Sequence, residues 1–347
     1  MALKIIKRGK VYEKWTQLTL LSIALAGLGA CSSDNKTTTS DGAQTETSAQ
    51  ASNKLQSKFV NIATGGASGP YNVIGTSLAE IYNKTYGVNS KTQTTGASVE
   101  NLNLLKQKKV EMAFVMSDSL TEALNGTGSF ASGKIDNVQQ IAALYPNYVQ
   151  IVASKKSGIK NLEDLKGKRI AVGAQNSGVE VNARTLLNGF GITYNDVKVD
   201  YLGYAEAADA LKGGKIDAAF LTSGIPNSSL MELQQGFDLQ LVGIDPAKVK
   251  QIAKNQTYFL SLNIPKGTYG NAEDIPTAAI MNALVVRSDL SEDDVYKLTK
   301  TFFDSLGQLA NSHQAATEIN LETAQKGVVA PLHPGAKRYY DELAAKK

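Results

Sequence analysis

The stretch LKQKKVEMAFVMSD at residues 105–118 returns at 211–224 as LKGGKIDAAFLTSG. At a constant offset, Leu105, Lys106, Lys109, Ala113, Phe114 and Ser117 meet identical residues, and Val110 and Glu111 meet Ile216 and Asp217. Each copy reads as the end of a helix, a turn, a buried strand and a small polar loop. Around the two copies, short β-rich runs such as FVNIA, QQIAALY, VQIVAS, KRIAVG, VKVDYL and LQLVG alternate with helical stretches. That alternation argues for an α/β chain with a largely parallel sheet. The repeat then limits it to one βαβ plan used twice. Two similar lobes face each other, and their strand ends and helix starts line one cleft, where open α/β sheets take ligands.

The joins follow from the same pattern. YPNYVQIVASKKSGIKNLEDLKGKRIAVG reads as a crossing strand and entry into the second lobe, NQTYFLSLNIPKGTYG as the return, and TAAIMNALVVRSDL as a long strand. The expected first lobe is 58–148 plus 259–347, and the second is 149–258. Residues beyond Ser291 are expected to be mostly helical.

The amino-terminal end carries a different signal. Lys4, Lys7, Arg8, Lys10 and Lys14 against Glu13 account for the whole formal charge of +4, so the body is neutral overall. A neutral body lacks the basic footprint of a nucleic-acid binder. The apolar run Leu18–Leu28 is shorter than the roughly 20 residues a spanning helix needs, and it fits the core of a secretory signal over 1–30. Leu28-Gly29-Ala30-Cys31 resembles the lipobox of bacterial lipoproteins, in which the cysteine receives the lipid. Cys31 is the only cysteine, so no disulfide can form within the chain. Residues 31–57 are nearly free of large apolar side chains and read as a flexible tether.

The strand FVNIA runs into GGASGPY, a glycine-rich turn before a helix, the usual setting for a ligand docked on backbone N–H groups. It matches neither the phosphate-binding G-x-x-x-x-G-K-[ST] nor the dinucleotide G-x-G-x-x-G pattern. In the second lobe, NSGVEVNARTLLNGFG offers Asn176 or Ser177 as an N-cap, with Glu180 completing a capping box. Paired across the cleft, two such loops suit an acidic small molecule. Only two histidines are present, His313 and His333, with no partners at metal-ligand spacing, and no G-x-S-x-G elbow occurs. No catalytic residue, metal or cofactor is expected, and a binding protein is favoured over an enzyme.

Seven segments, taken in order, resemble one family: ATGGASGPYNVIG, TTGASVENLNLLKQKKVEMAFVMSD, ALYPNYVQIV, LEDLKGKRIAVGAQNSGVE, EAADALKGGKIDAAFLTSGIP, IPKGTYGNAEDIPTAA and PLHPGAKRYYDE. The chain is similar to the TAXI solute receptors of tripartite ATP-independent periplasmic (TRAP) transporters. The likeness covers nearly all of 58–345. It implies a two-lobed periplasmic-binding-protein fold, type II-like, closing on an organic anion, glutamate or a related dicarboxylate, for delivery to a TRAP membrane permease. Together with the lipobox at Cys31, the expectation is a lipid-anchored monomer in the cell envelope, facing the periplasm or cell exterior. Where the family often has two tyrosines, this chain has Tyr71-Asn72.

By matched position, the resemblance assigns ligand contacts to Gly65, Gly66 and Tyr71 in the first loop, and to Thr95 and Ser98 at the second helix. It adds Ser117 and Asp118 after the repeated strand; for Asp118 two roles stand equally, receiving an ammonium or capping the helix. From the second lobe it assigns Asn176, Ser177 and Gly178 to a carboxylate, with Thr222, Ser223 and Gly224 as the echo of the Ser117 loop. None of the body's arginines (Arg169, Arg184, Arg287, Arg338) falls in a matched loop, so neutral donors and helix ends would carry recognition. Three other readings stay open: a receptor of the same fold for an ABC permease or a sensor, a secreted enzyme of similar topology, and a surface antigen without a small ligand.

Overall fold

The computed structural model describes residues 54–346. The expected signal, Cys31 and the first part of the tether lie outside the described residues. Three parallel strands open the first lobe: β1 (Phe59–Ala63), β2 (Asn89–Gln93) and β3 (Met112–Met116). Helices α1 (Pro70–Tyr86), α2 (Ser98–Lys106) and α3 (Ser117–Asn125) each follow one of them. The long strand β4 (Val138–Ser154) then crosses into the second lobe.

There the plan repeats: β5 (Arg169–Ala171), α4 (Gly178–Gly189), β6 (Lys198–Asp200), α5 (Tyr204–Lys212), β7 (Ala218–Ser223) and α6 (Ser228–Leu233). After β8 (Leu239–Val242), α7 (Pro246–Ala253) and β9 (Phe259–Ile264), the strand β10 (Ile275–Arg287) leads back. Helices α8 (Glu292–Asp304), α9 (Leu306–Ser312) and α10 (Pro334–Ala344) close the first lobe.

One sheet runs through both lobes in the order β2-β1-β3-β10-β4-β7-β5-β6. The antiparallel pair β10–β4 is its centre, and three parallel strands flank it on each side in mirrored order. The repeat is written into the hydrogen bonds. The Glu111 carboxylate accepts the Asn61 N–H at 2.8 Å, and its counterpart Asp217 accepts the Arg169 N–H at 2.8 Å. The turn before each strand is also shared, with Lys108 at φ 56° standing where the second copy has Gly214 at φ 65°.

Packing follows the same plan. In β3, Met112 and Phe114 enter one apolar cluster while Ala113 and Val115 enter another on the opposite face. In β7, Ala218 and Phe220 divide from Ala219 and Leu221 in the same way. Both faces are covered, as a parallel sheet requires.

Several boundaries differ from the sequence reading. QQIAALY and VQIVAS form one strand, because Pro146 pairs opposite Met281 without needing an N–H there. The polar strand β2 carried no apolar pattern. Its pairing with β1 holds it, and the Ser90 hydroxyl donates to the Val60 carbonyl at 2.9 Å. Residues 259–280 pack with the second lobe through Phe259, Ile264, Tyr269, Ala278 and Ile280, whereas the sequence reading returned the chain to the first lobe at 259. The tether ends before 57: Leu55 packs on the first-lobe core, and the N–H groups of Gln56 and Ser57 donate to Asp294 at 2.8 Å each.

Candidate ligand-binding cleft

A cleft of about 490 Å³ lies between the lobes. Its lining comes almost wholly from strand ends and the turns that follow them: 65–71 after β1, 94–97 after β2, Met116 at the end of β3, Ala174, Ser177 and Val179 after β5, 203–206 after β6, and Thr222 and Ser223 at the end of β7. Asn147, from the crossing strand, completes it. Four helices therefore begin at this cleft: α1, α2, α4 and α5. Three of them, α1, α2 and α5, have no side chain bonded to their first-turn N–H groups. The fourth is capped by Ser177, whose Oγ accepts the Glu180 N–H at 3.1 Å. Helix starts carry partial positive charge and unused donors. Glu206, exposed, is the one charged side chain in the lining, and no lysine or arginine joins it.

The lobes touch across the cleft. The Ser228 hydroxyl donates to the Ser68 carbonyl at 2.7 Å, and the Glu100 N–H donates to the Asn176 carbonyl at 3.2 Å. The Tyr204 ring lies against Gly69, where an added Cβ would sit 3.2 Å from Cε2.

A buried polar network forms one wall. The Asn282 amide nitrogen donates to the Tyr145 carbonyl at 2.9 Å and to the Asn147 Oδ1 at 2.8 Å. The Tyr71 hydroxyl donates to the Asn282 Oδ1. Burial pushes the phenols of Tyr71, Tyr145 and Tyr204 well above their ordinary range, so they act as neutral groups.

The residues singled out in the sequence divide into two groups. Gly65, Gly66, Tyr71, Thr95, Ser177, Thr222 and Ser223 line the cleft; Ser98, Ser117, Asp118, Asn176, Gly178 and Gly224 do not. Ser98 is wholly buried and its Oγ accepts the Met116 N–H. The Ser117 carbonyl accepts the Thr121 hydroxyl one turn on. Asp118, expected to receive an ammonium or to cap the helix, is wholly buried and joins the lobes instead, taking the Ser119 N–H at 2.6 Å and the Asn182 amide of α4. Burial pushes its carboxyl up to about 7. Gly178 serves close approach: a Cβ there would fall 2.6 Å from the Met116 Cε and 2.8 Å from the Ser98 Oγ.

Hydroxyl accounting separates the lining residues further. Ser223 Oγ accepts from Gln150 and Asn227 and donates to the Gly224 carbonyl, which uses its full capacity. Thr95 Oγ1 is taken by Asn101 and the Ala97 N–H. Thr222 Oγ1 is buried with no partner at all. The sequence reading did not single out Asn147, Asn282, Tyr204 or Glu206. A signal existed for three of them: the asparagines interrupt apolar strand runs, where a polar group needs partners, and Glu206 echoes Glu100 at the repeat offset; Tyr204 had none.

These features define a two-lobed α/β protein with its cleft at the strand ends of both lobes. The chain belongs to the NMT1-like family, whose pattern matches residues 62–343. Similar solved structures include a protein from Bordetella bronchiseptica RB50, 18% identical, covering 83% of each chain with a TM-score of 0.52. Another, described as a periplasmic transporter, is 15% identical over 84% of this chain and 97% of its own, also with a TM-score of 0.52. The periplasmic aliphatic sulphonate binding protein SsuA from Escherichia coli is 15% identical over 84% of this chain and 95% of its own, with a TM-score of 0.44. The first two place the chain in the periplasmic-binding-protein fold.

Proposed function

We propose that this protein is an extracytoplasmic solute receptor that closes on a small organic anion and passes it to a membrane permease. One observation carries the reading: four helix starts converge on a cleft that no basic side chain lines. Such starts offer N–H donors and dipole charge to a carboxylate. They do so without the tight ion pair that would slow release. The binding-protein fold supports a transport role over catalysis, and the cleft brings together no nucleophile and base. The resemblance to TAXI receptors supports a TRAP permease as the partner, with dicarboxylates and glutamate as the first ligands to try.

The test is a thermal-shift screen of the purified protein against organic acids, sugars and cations. A ligand at a hundred times its Kd adds about 2.7 kcal/mol to stability, enough to raise Tm by several degrees. Stabilisation by sugars or cations alone, with none from organic acids, would refute the anion reading. Attachment rests on Cys31, which lies outside the described residues. Cys31→Ser should free the protein from the membrane fraction, and unchanged retention would remove the lipid anchor from the proposal.

A further inference from the structure

We propose that the cleft wall formed by Asn147 and Thr222 selects an uncharged hydrogen-bond acceptor on the ligand, a carbonyl or hydroxyl oxygen, and disfavours an ammonium. This rests on the organic-anion reading above and narrows it.

The hydrogen bonds fix which way the Asn147 amide points. The Tyr145 backbone carbonyl can only accept, so the Asn282 nitrogen must face it. The second hydrogen on that nitrogen goes to Asn147 at 2.8 Å, so the atom facing it is the Asn147 oxygen. The Asn282 oxygen then takes the Tyr71 hydroxyl proton. With its oxygen committed, the nitrogen is the free end of the Asn147 amide, in a residue that lines the cleft. The only partner of that nitrogen is the Tyr71 oxygen at 3.5 Å, the outer limit of a hydrogen bond. A donor that is 98% buried by residue is thus left for an incoming acceptor.

Thr222 is the second observation. It pairs in register with Val149 of β4, which places it on the same sheet face as Asn147 two residues away. Its hydroxyl is fully buried and unpartnered, and the residue belongs to the cleft lining. A hydroxyl can donate to the same ligand oxygen or accept from a ligand hydroxyl. An ammonium here would face the Asn147 N–H groups, with only the neutral hydroxyl oxygens of Thr222 and Tyr71 as side-chain acceptors beside them. No carboxylate stands ready for it on this wall: Asp118 is outside the lining and bonded to Asn182, and Glu206 is exposed.

The experiment is calorimetric titration of the purified protein with pentanedioate and its 2-oxo, 2-hydroxy and 2-amino derivatives at one pH and salt concentration. The expected order places the 2-oxo and 2-hydroxy acids at least tenfold tighter than the 2-amino acid. Equal or tighter binding of the 2-amino acid overturns the selectivity while leaving the anion reading intact. Absence of binding by all four, alongside failure of the organic-acid screen, overturns the anion reading and this inference with it. Asn147→Asp provides the second arm, since a carboxylate at that position accepts from an ammonium and repels a carbonyl oxygen. The order should invert in this variant, with thermal melts confirming that it folds. A folded variant that keeps the wild-type order would show that Asn147 does not set selectivity.

Discussion

Thr222→Val separates a residue that waits for a ligand from one that serves the fold. Valine keeps the β-branched shape suited to a strand and exchanges the hydroxyl for a methyl group. In the free protein that hydroxyl is fully buried with no partner, and such a group costs about 1–3 kcal/mol. Removing it should raise the stability of the free protein by about 1 kcal/mol, or a Tm increase of about 2 °C for a body of this size. In the complex the hydroxyl has gained a bond worth about 1–1.5 kcal/mol, so the variant should bind roughly tenfold more weakly. The two effects have opposite signs. A structural threonine would lose stability on substitution, and a bystander would change neither quantity. The assay is a pair of denaturant or thermal melts without ligand, with calorimetric titration of the best organic acid from the screen. A lower Tm in the free variant, or a Kd within twofold of wild type, would refute the reasoning.

Three further substitutions probe other parts of the structure. Ser177→Asp keeps a good N-cap for α4, so stability should stay within about 1 kcal/mol; it adds a negative charge at the cleft, so anion affinity should fall at least tenfold by calorimetry, and unchanged affinity would take this helix start out of the site. Lys108→Gly puts at φ 56° the residue type that the second copy of the turn already uses; stability measured by urea unfolding should rise by up to about 1 kcal/mol, the exposed Lys108–Asp289 pair offsetting little of it, and a clear loss would show that this turn is not strained. Asp118 is pushed up to about 7 by burial, so the folded state holds its proton longer than the unfolded state. Its contribution is therefore full below the unfolded value near 4 and is lost as pH rises to about 7. Asp118→Asn should flatten that slope and stabilise the protein at pH 8 relative to wild type, and melts at pH 5 and 8 that shift in parallel would exclude the effect.

The repeat made much of the fold legible because it reports a physical plan, not a local preference. Helix end, turn and buried strand recur because Glu111 and Asp217 do the same work, each holding the N–H of a neighbouring strand residue. From that plan the turns after β1, β2, β5 and β7 could be placed from sequence, and with them Gly65, Gly66, Tyr71, Thr95, Ser177, Thr222 and Ser223 of the lining. What stayed hidden was held by pairing or by partners distant in the chain. The strand β2 shows an almost fully polar surface and exists because β1 offers it a backbone edge. Asp118 looked like a ligand group because it follows the repeated strand, but only the packing of α4 against α3 brings Asn182 to it. Asn147 and Asn282 lie 135 residues apart, and although Asn147 falls within the segment ALYPNYVQIV, the resemblance gave neither residue a role. Their one sequence trace is a polar residue within an apolar strand. Because leaving such a group unpaired in a core costs so much, a lone asparagine in each of two crossing strands already implies a partner. In a two-lobed chain those strands run past the cleft, and the partners found there, one another and Tyr71, leave the Asn147 nitrogen with a single contact of 3.5 Å.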